Sequence, residues 1–198
     1  MPLKHFGGQY SKEYRLLKHG FFVIKNAGYR AESDIVSIVD RYQKEDYRID
    51  THYRKFYYYL DRVEDTHAFD ELRVLVENIY TNRYLDVLTK EFNKNFSYKT
   101  LKGQYKLQRD FYKNYVADSK DRLIVIISDA LRYETAKELA SELDQDKKIN
   151  SVSIEPQIGI LPSFTGMGMA ALLPHERLGI DKAGNGLVDE RVVPSISA

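Results

Sequence analysis

Two oxygen-bearing residues in the second half of the chain have types and positions suited to shared chemistry. Asp129 comes just after the apolar run Leu123, Ile124, Val125, Ile126 and Ile127, and Thr165 opens a candidate helix. A carboxylate at the carboxyl end of a strand can bind a hard or borderline divalent cation through oxygen. An aspartate between strand and helix can equally serve as an N-cap that satisfies the first free N–H groups. Thr165 has the same two readings. As a cap it only starts a helix; as a functional hydroxyl it lies where free N–H groups and the macrodipole favour an anion such as a phosphoryl group. The glycines that follow, Gly166 and Gly168, each cost roughly 1 kcal/mol against alanine inside a helix, so close approach by a backbone or ligand is expected to compensate. The pairing favours the functional reading: a carboxylate after one strand and a hydroxyl after the next arrive at one sheet edge. Ser163, in the same block, is the alternative hydroxyl.

The absence of cysteine leaves Asp, Glu, His and hydroxyl groups as the available metal ligands. His175 follows the helix-ending Pro174, at the opposite end of that helix from Thr165, and is expected at the surface. Arg132 and Glu134, one turn beyond Asp129, either orient its carboxylate or face solvent. Tyr57, Tyr58 and Tyr59 beside Arg54 and Lys55 could stack nucleic-acid bases, but three adjacent helical residues point in three directions, so core packing is the better account.

These residues need elements to position them. The run from Leu123 to Ile127 predicts a buried strand, and Leu131, Ala136, Leu139, Ala140 and Leu143 predict the inward stripe of the helix after it. Val152 and Ile154 suggest a second strand, and a helix from Thr165 to Leu173 would be stopped by Pro174. Leu187 and Val188 suggest a further strand. Upstream, helical spacing recurs at Leu72, Leu75, Val76 and Ile79, and at Tyr53, Phe56, Tyr57 and Leu60, with Ser33 and Thr51 as candidate N-caps. The fold class expected is α/β: a mostly helical, tyrosine-rich region over residues 1–118, then an incomplete parallel-sheet domain over residues 119–198. Two or three strands are fewer than such a sheet normally closes on, so a piece of a longer protein is expected.

Composition bounds the function. Thirty basic and twenty-nine acidic residues give a net charge of +1, which argues against a chain-wide electrostatic footprint for nucleic acid. No apolar run reaches the roughly 18 residues of a membrane span, and the N-terminus lacks an export signal, so a cytoplasmic protein is expected. No glycine-rich phosphate loop follows Ile127, which weighs against a nucleotide-binding α/β domain.

The segment Ile126-Ile-Ser-Asp-Ala-Leu-Arg-Tyr-Glu134 and the segment Leu161-Pro-Ser-Phe-Thr-Gly-Met-Gly-Met-Ala-Ala-Leu-Leu-Pro-His175 together resemble the two signature blocks of PglZ proteins. These are phosphatase-like components of bacterial BREX phage-defence systems within the alkaline phosphatase superfamily. Ile49-Asp-Thr-His-Tyr-Arg-Lys-Phe56 and Gln108-Arg-Asp-Phe-Tyr112 resemble the region preceding that domain in type A members. The resemblance implies a metal-dependent phosphatase or phosphodiesterase, with Asp129 and Thr165 as metal ligands and Thr165, or alternatively Ser163, as the nucleophile. The implied cofactor is a divalent metal, zinc or manganese, whose remaining ligands this chain lacks, so the 198 residues are not expected to form a competent two-metal site. The implied partners are other BREX components, a DNA methyltransferase among them, and a phosphoester substrate. The rival expectation is a non-catalytic scaffold on which the tyrosine-rich helices dock DNA-modifying defence partners.

Overall fold

A computed structural model describes residues 10–30 and 32–192. The N-terminal segment read as lacking an export signal therefore lies, up to residue 9, outside the described residues. The chain divides into two compact units, one of residues 1–97 with 132–141, the other of residues 98–131 with 142–198.

The first unit is helical: α1 (Ser11–Asn26), α2 (Ile35–Arg41), α3 (Tyr47–Leu60), α4 (Asp70–Ile79), α5 (Asp86–Asn95) and the first part of α8 (Tyr133–Leu143). Its core gathers Leu16 and Val23 of α1, Phe56 and Leu60 of α3, and Val76 and Ile79 of α4. Helices α1 and α3 approach closely at Gly20, where a Cβ would lie 3.1 Å from the Phe56 ring. Sequence periodicity located these faces, although Leu75 of the α4 stripe is 47% exposed. The cap of α2 is Asp34 rather than Ser33: its carboxylate accepts from the N–H groups of Val36 and Ser37, while Ser33 donates to it. A carboxylate takes two amides at once, which leaves the hydroxyl a supporting role. Thr51 lies inside α3 and donates back to the Tyr47 carbonyl.

Two π-helical turns, Tyr42–Asp46 and Tyr80–Leu85, each insert an extra residue into a helical run and rotate side chains inward. Asp50 is thereby flanked by two phenols: Tyr42 Oη donates to it at 2.5 Å and Tyr80 Oη at 2.9 Å. Burial raises the Asp50 carboxyl above its ordinary value even though both hydrogen bonds oppose the shift.

The second unit holds α6 (Tyr98–Gln104), β1 (Lys106–Leu107), α7 (Phe111–Tyr115), β2 (Gln157–Ile158), α9 (Thr165–Leu172), β3 (Leu178–Ile180), β4 (Gly186–Val188) and β5 (Arg191–Val192). Strands β1 and β2 pair in parallel, Lys106 opposite Gln157 and Leu107 opposite Ile158. Strands β3, β4 and β5 form an antiparallel meander. Helix α9 buries Met167, Ala170 and Ala171 and packs on β3, β4 and the turn Gln108–Asp110. The mixed α/β class therefore holds, with a small parallel pair in this unit.

Three local expectations are corrected. Residues 122–128 form no strand, and Leu123 to Ile127 are 44–88% exposed. β-branched composition favours an extended backbone, but a strand exists only through neighbours, and none pairs with this run among the described residues. The second strand falls at Gln157–Ile158 rather than Val152 and Ile154. The inward side chain of α8 is Glu134, whereas Leu139 and Leu143 of the expected stripe are 47% and 37% exposed.

Candidate active site

Asp129 opens the turn that follows the apolar run. Ala130 after it takes φ +54°, a left-handed conformation that costs a non-glycine residue about 1–2 kcal/mol. Thr165 is the first residue of α9; the N-cap is Phe164, extended at φ −112° and ψ 158°, whose carbonyl accepts from Met167 N at 3.1 Å and Gly168 N at 2.9 Å. The Thr165 hydroxyl is thus not used as a cap. Its Oγ1 donates to Asp129 Oδ2 at 3.3 Å across 36 residues of sequence. Both side chains are exposed. Ser163 is also exposed and, among the described residues, makes no hydrogen bond to Asp129.

Helix α9 is held against β4 by backbone contact. A Cβ built on Gly186 would lie 2.6 Å from the Gly166 carbonyl oxygen, closer than atoms can pack. The glycine that this approach requires is Gly186 on β4; a Cβ on Gly166 itself would meet the Phe164 ring at 3.1 Å and lie 3.9 Å from Gly186 N. Gly168 is less constrained: its nearest neighbour, the Gln108 side chain, would lie 3.5 Å from an added Cβ.

The remaining candidates have partners of their own. Glu134 is 1% exposed and faces Arg54, with Oε1 3.6 Å from Nε. Arg54 and Lys55 both pair with Glu138 one turn further on, which lowers the Glu138 carboxyl from its ordinary value. Arg132 is largely exposed, 4.0 Å from Glu134. His175 Nδ1 lies 2.7 Å from the Leu173 carbonyl, an acceptor only, so this nitrogen carries the proton. Tyr57, Tyr58 and Tyr59 diverge: Tyr58 is 48% exposed beneath the Arg62 guanidinium, Tyr59 accepts from Arg15, and Tyr57 packs against the core.

Two pairings escaped sequence reasoning because neither has a local pattern. Glu134 meets a cation 80 positions upstream. Gln108 donates from Nε2 to the Gly168 carbonyl and accepts at Oε1 from Ile160 N, both at 3.1 Å.

Among the described residues no group of three or more His, Asp or Glu side chains could hold a metal. The Asp129–Thr165 pair fits one as a partial donor set. An oxygen–oxygen separation of 3.3 Å is what two oxygens on one cation subtend at about 100° when each lies about 2.1 Å from it. The donors are hard oxygens, as zinc, manganese and magnesium accept.

Against known families, residues 109–195 match the BREX system PglZ alkaline phosphatase-like domain. The chain belongs to the PglZ family. It is 36% identical over 181 residues to "Alkaline phosphatase-like protein PglZ" of Bacillus cereus (strain H3081.97), a match covering 87% of this chain and 21% of that protein. It is 35% identical over 149 residues to "Alkaline phosphatase-like protein BrxZ" of Escherichia coli O9:H4 (strain HS), covering 69% of this chain and 17% of that protein. The chain thus spans about a fifth of the length of these PglZ relatives. No solved structure matches it. Both Asp129 and Thr165 fall inside the matched PglZ domain. No helix of the described residues is long and apolar enough to cross a membrane.

Proposed function

We propose that this chain carries one part of a metal-dependent phosphoric ester hydrolase belonging to a BREX phage-defence system, with Thr165 as nucleophile and Asp129 as its partner. The observation that carries the reading is the 3.3 Å contact from Thr165 Oγ1 to Asp129 Oδ2. Asp129 orients the Thr165 hydroxyl and holds its proton on the side away from an incoming phosphorus. Helix α9 begins at Thr165, so its first-turn N–H groups lie beside the hydroxyl, where they favour negative charge as it develops. Asp129 and Thr165 would hold a divalent cation, which would supply Lewis acidity to the hydroxyl and the phosphoryl oxygens. Zinc is the metal the family resemblance favours, with manganese as the practical probe. Thr165 is preferred to Ser163 because it is the hydroxyl in contact with Asp129. Other proteins of the same BREX system, with a DNA methyltransferase among them, are the partners in this reading.

The test is cation binding by the 198-residue chain, read as selective Mn2+ broadening of NMR signals. Wild type broadens around Asp129 and Thr165 together, and Asp129→Asn and Thr165→Ala each remove the effect. Hydrolysis of bis-p-nitrophenyl phosphate with added Zn2+ or Mn2+ is then measured in the longer B. cereus relative. Equal broadening in wild type and either variant would refute the assignment.

A further inference from the structure

We propose that Gln108 is a positioning residue for Thr165, its single carboxamide fixing both ends of the loop that delivers the hydroxyl to Asp129. The proposal rests on the reading of Asp129 and Thr165 as a cation-binding pair. Strand β1 ends at Leu107, and at Gln108 the backbone turns into the 3-10 turn Gln108–Asp110, so the parallel ladder with β2 loses its next backbone rung. The Gln108 side chain takes that place. Its Oε1 accepts from the N–H of Ile160, two residues beyond Ile158, the last ladder residue of β2. Its Nε2 donates to the carbonyl of Gly168, in the first turn of α9.

Ile160 and Gly168 bracket the segment that holds both candidate hydroxyls, Ser163 and Thr165. One half-buried planar group therefore sets the distance between the end of β2 and the start of α9. The geometry selects the residue type. Asparagine is one methylene shorter and cannot span both contacts. Glutamate keeps the acceptor for Ile160 but has no donor for Gly168 and sets a carboxylate against a carbonyl oxygen. Leucine approximates the shape and makes neither bond. Helix α9 has no side-chain cap of its own, so this clamp adds to the burial of Met167, Ala170 and Ala171 and to the Gly166–Gly186 contact in fixing the position of Thr165.

The experiment compares wild type, Gln108→Leu and Gln108→Glu in the full chain by two readouts. The first is the nuclear Overhauser contact between Thr165 and Asp129 side-chain protons, which reports their separation without metal. The second is Mn2+ broadening at each residue, with the thermal midpoint as a control for folding. Gln108→Leu is expected to weaken the Overhauser contact, keep broadening at Asp129, lose it at Thr165 and bind Mn2+ roughly 10-fold more weakly, as loss of an outer partner typically does. Gln108→Glu is expected to fall between Gln108→Leu and wild type, and decides the matter if the leucine variant does not fold. A wild-type Overhauser contact and wild-type broadening at Thr165 in the folded variants would overturn the proposal. If wild type shows the contact but no broadening, the cation reading fails, and the metal-free readout alone decides the role of Gln108.

Discussion

Replacing Gly186 and Gly168 separately with alanine tests whether α9 is held by backbone contact. At Gly186 the new Cβ would lie 2.6 Å from the Gly166 carbonyl oxygen, 3.0 Å from its carbon and 3.3 Å from the Ala170 Cβ. Carbon and oxygen ordinarily approach to about 3.3 Å, so helix and strand must separate by about 0.7 Å. The obstacle is backbone on both sides and cannot rotate away. Overpacking of this kind costs about 1–3 kcal/mol, against an unfolded-state gain of about 0.4–1 kcal/mol for losing a glycine, so the net is a loss of up to about 2.6 kcal/mol. At Gly168 the nearest atom to the new Cβ is Gln108 Nε2 at 3.5 Å, ordinary contact. Helix propensity then dominates, and Gly168→Ala should stabilise by about 0.5–1 kcal/mol. Hydrogen exchange of the amides of residues 165–172 reads the local free energy in each variant. The displaced helix should also lengthen the 3.3 Å contact from Thr165 to Asp129 in Gly186→Ala. Equal effects of the two substitutions, or a stabilised Gly186→Ala, would refute the close-approach argument.

Further expectations concern the helical unit. Phe56→Ala empties a fully buried site between α1 and α3 and should cost about 3–5 kcal/mol in urea unfolding followed by tyrosine emission. Tyr80→Phe leaves Asp50 with one phenol donor instead of two and should cost about 1–3 kcal/mol by the same measurement. His19 and His52 face each other with their Nδ1 atoms 3.0 Å apart. Both are held down to about 4, first by burial; then by His52, Lys55 and Lys18 for His19, and by Lys18, Lys55 and Arg48 for His52, with Glu138 opposing in each case. The unfolded chain protonates near 6.5, so their stabilisation is complete above that pH and is lost as pH falls toward 4. After allowance for solvent screening this amounts to about 1–2 kcal/mol for the pair. The difference in urea midpoint between wild type and His19→Phe/His52→Phe should shift across that window, and a pH-independent difference would contradict it.

The parts of the structure legible in the sequence are those fixed by local repetition. Phe56 and Leu60, and Val76 and Ile79, recur at helical spacing and lie on the buried faces of α3 and α4 because a helix with one apolar stripe has a single way to hide it. A strand before each of Asp129 and Thr165 was expected to bring them to one sheet edge; the strand before Asp129 does not form, yet the two side chains meet. What escaped prediction depends on distant partners. Composition marked Leu123–Ile127 as a buried strand, but hydrogen-bonded neighbours are not encoded in the run itself. Glu134 carries no mark of burial, since a charge enters a helical core only where another residue, here Arg54, comes close to it. Gln108 is one polar residue after a two-residue strand, and its two contacts lie 52 and 60 positions away. Pairwise geometry of that kind leaves no periodic trace.

The uncovered run also bears on how this chain behaves at rising concentration. Ile124 and Ile126 are 74% and 88% exposed, in a run that no helix or strand takes up. Five consecutive apolar residues without proline or charge make a short adhesive tape, and two such tapes meeting in solution can zip together. Lys120, Asp121 and Arg122 on one flank and Asp129 on the other act as gatekeepers that keep the sticky length to a few residues. Clumping should therefore rise steeply with crowding of copies, and a single aspartate at position 124 or 126 should curb it more than any change made in the helical core.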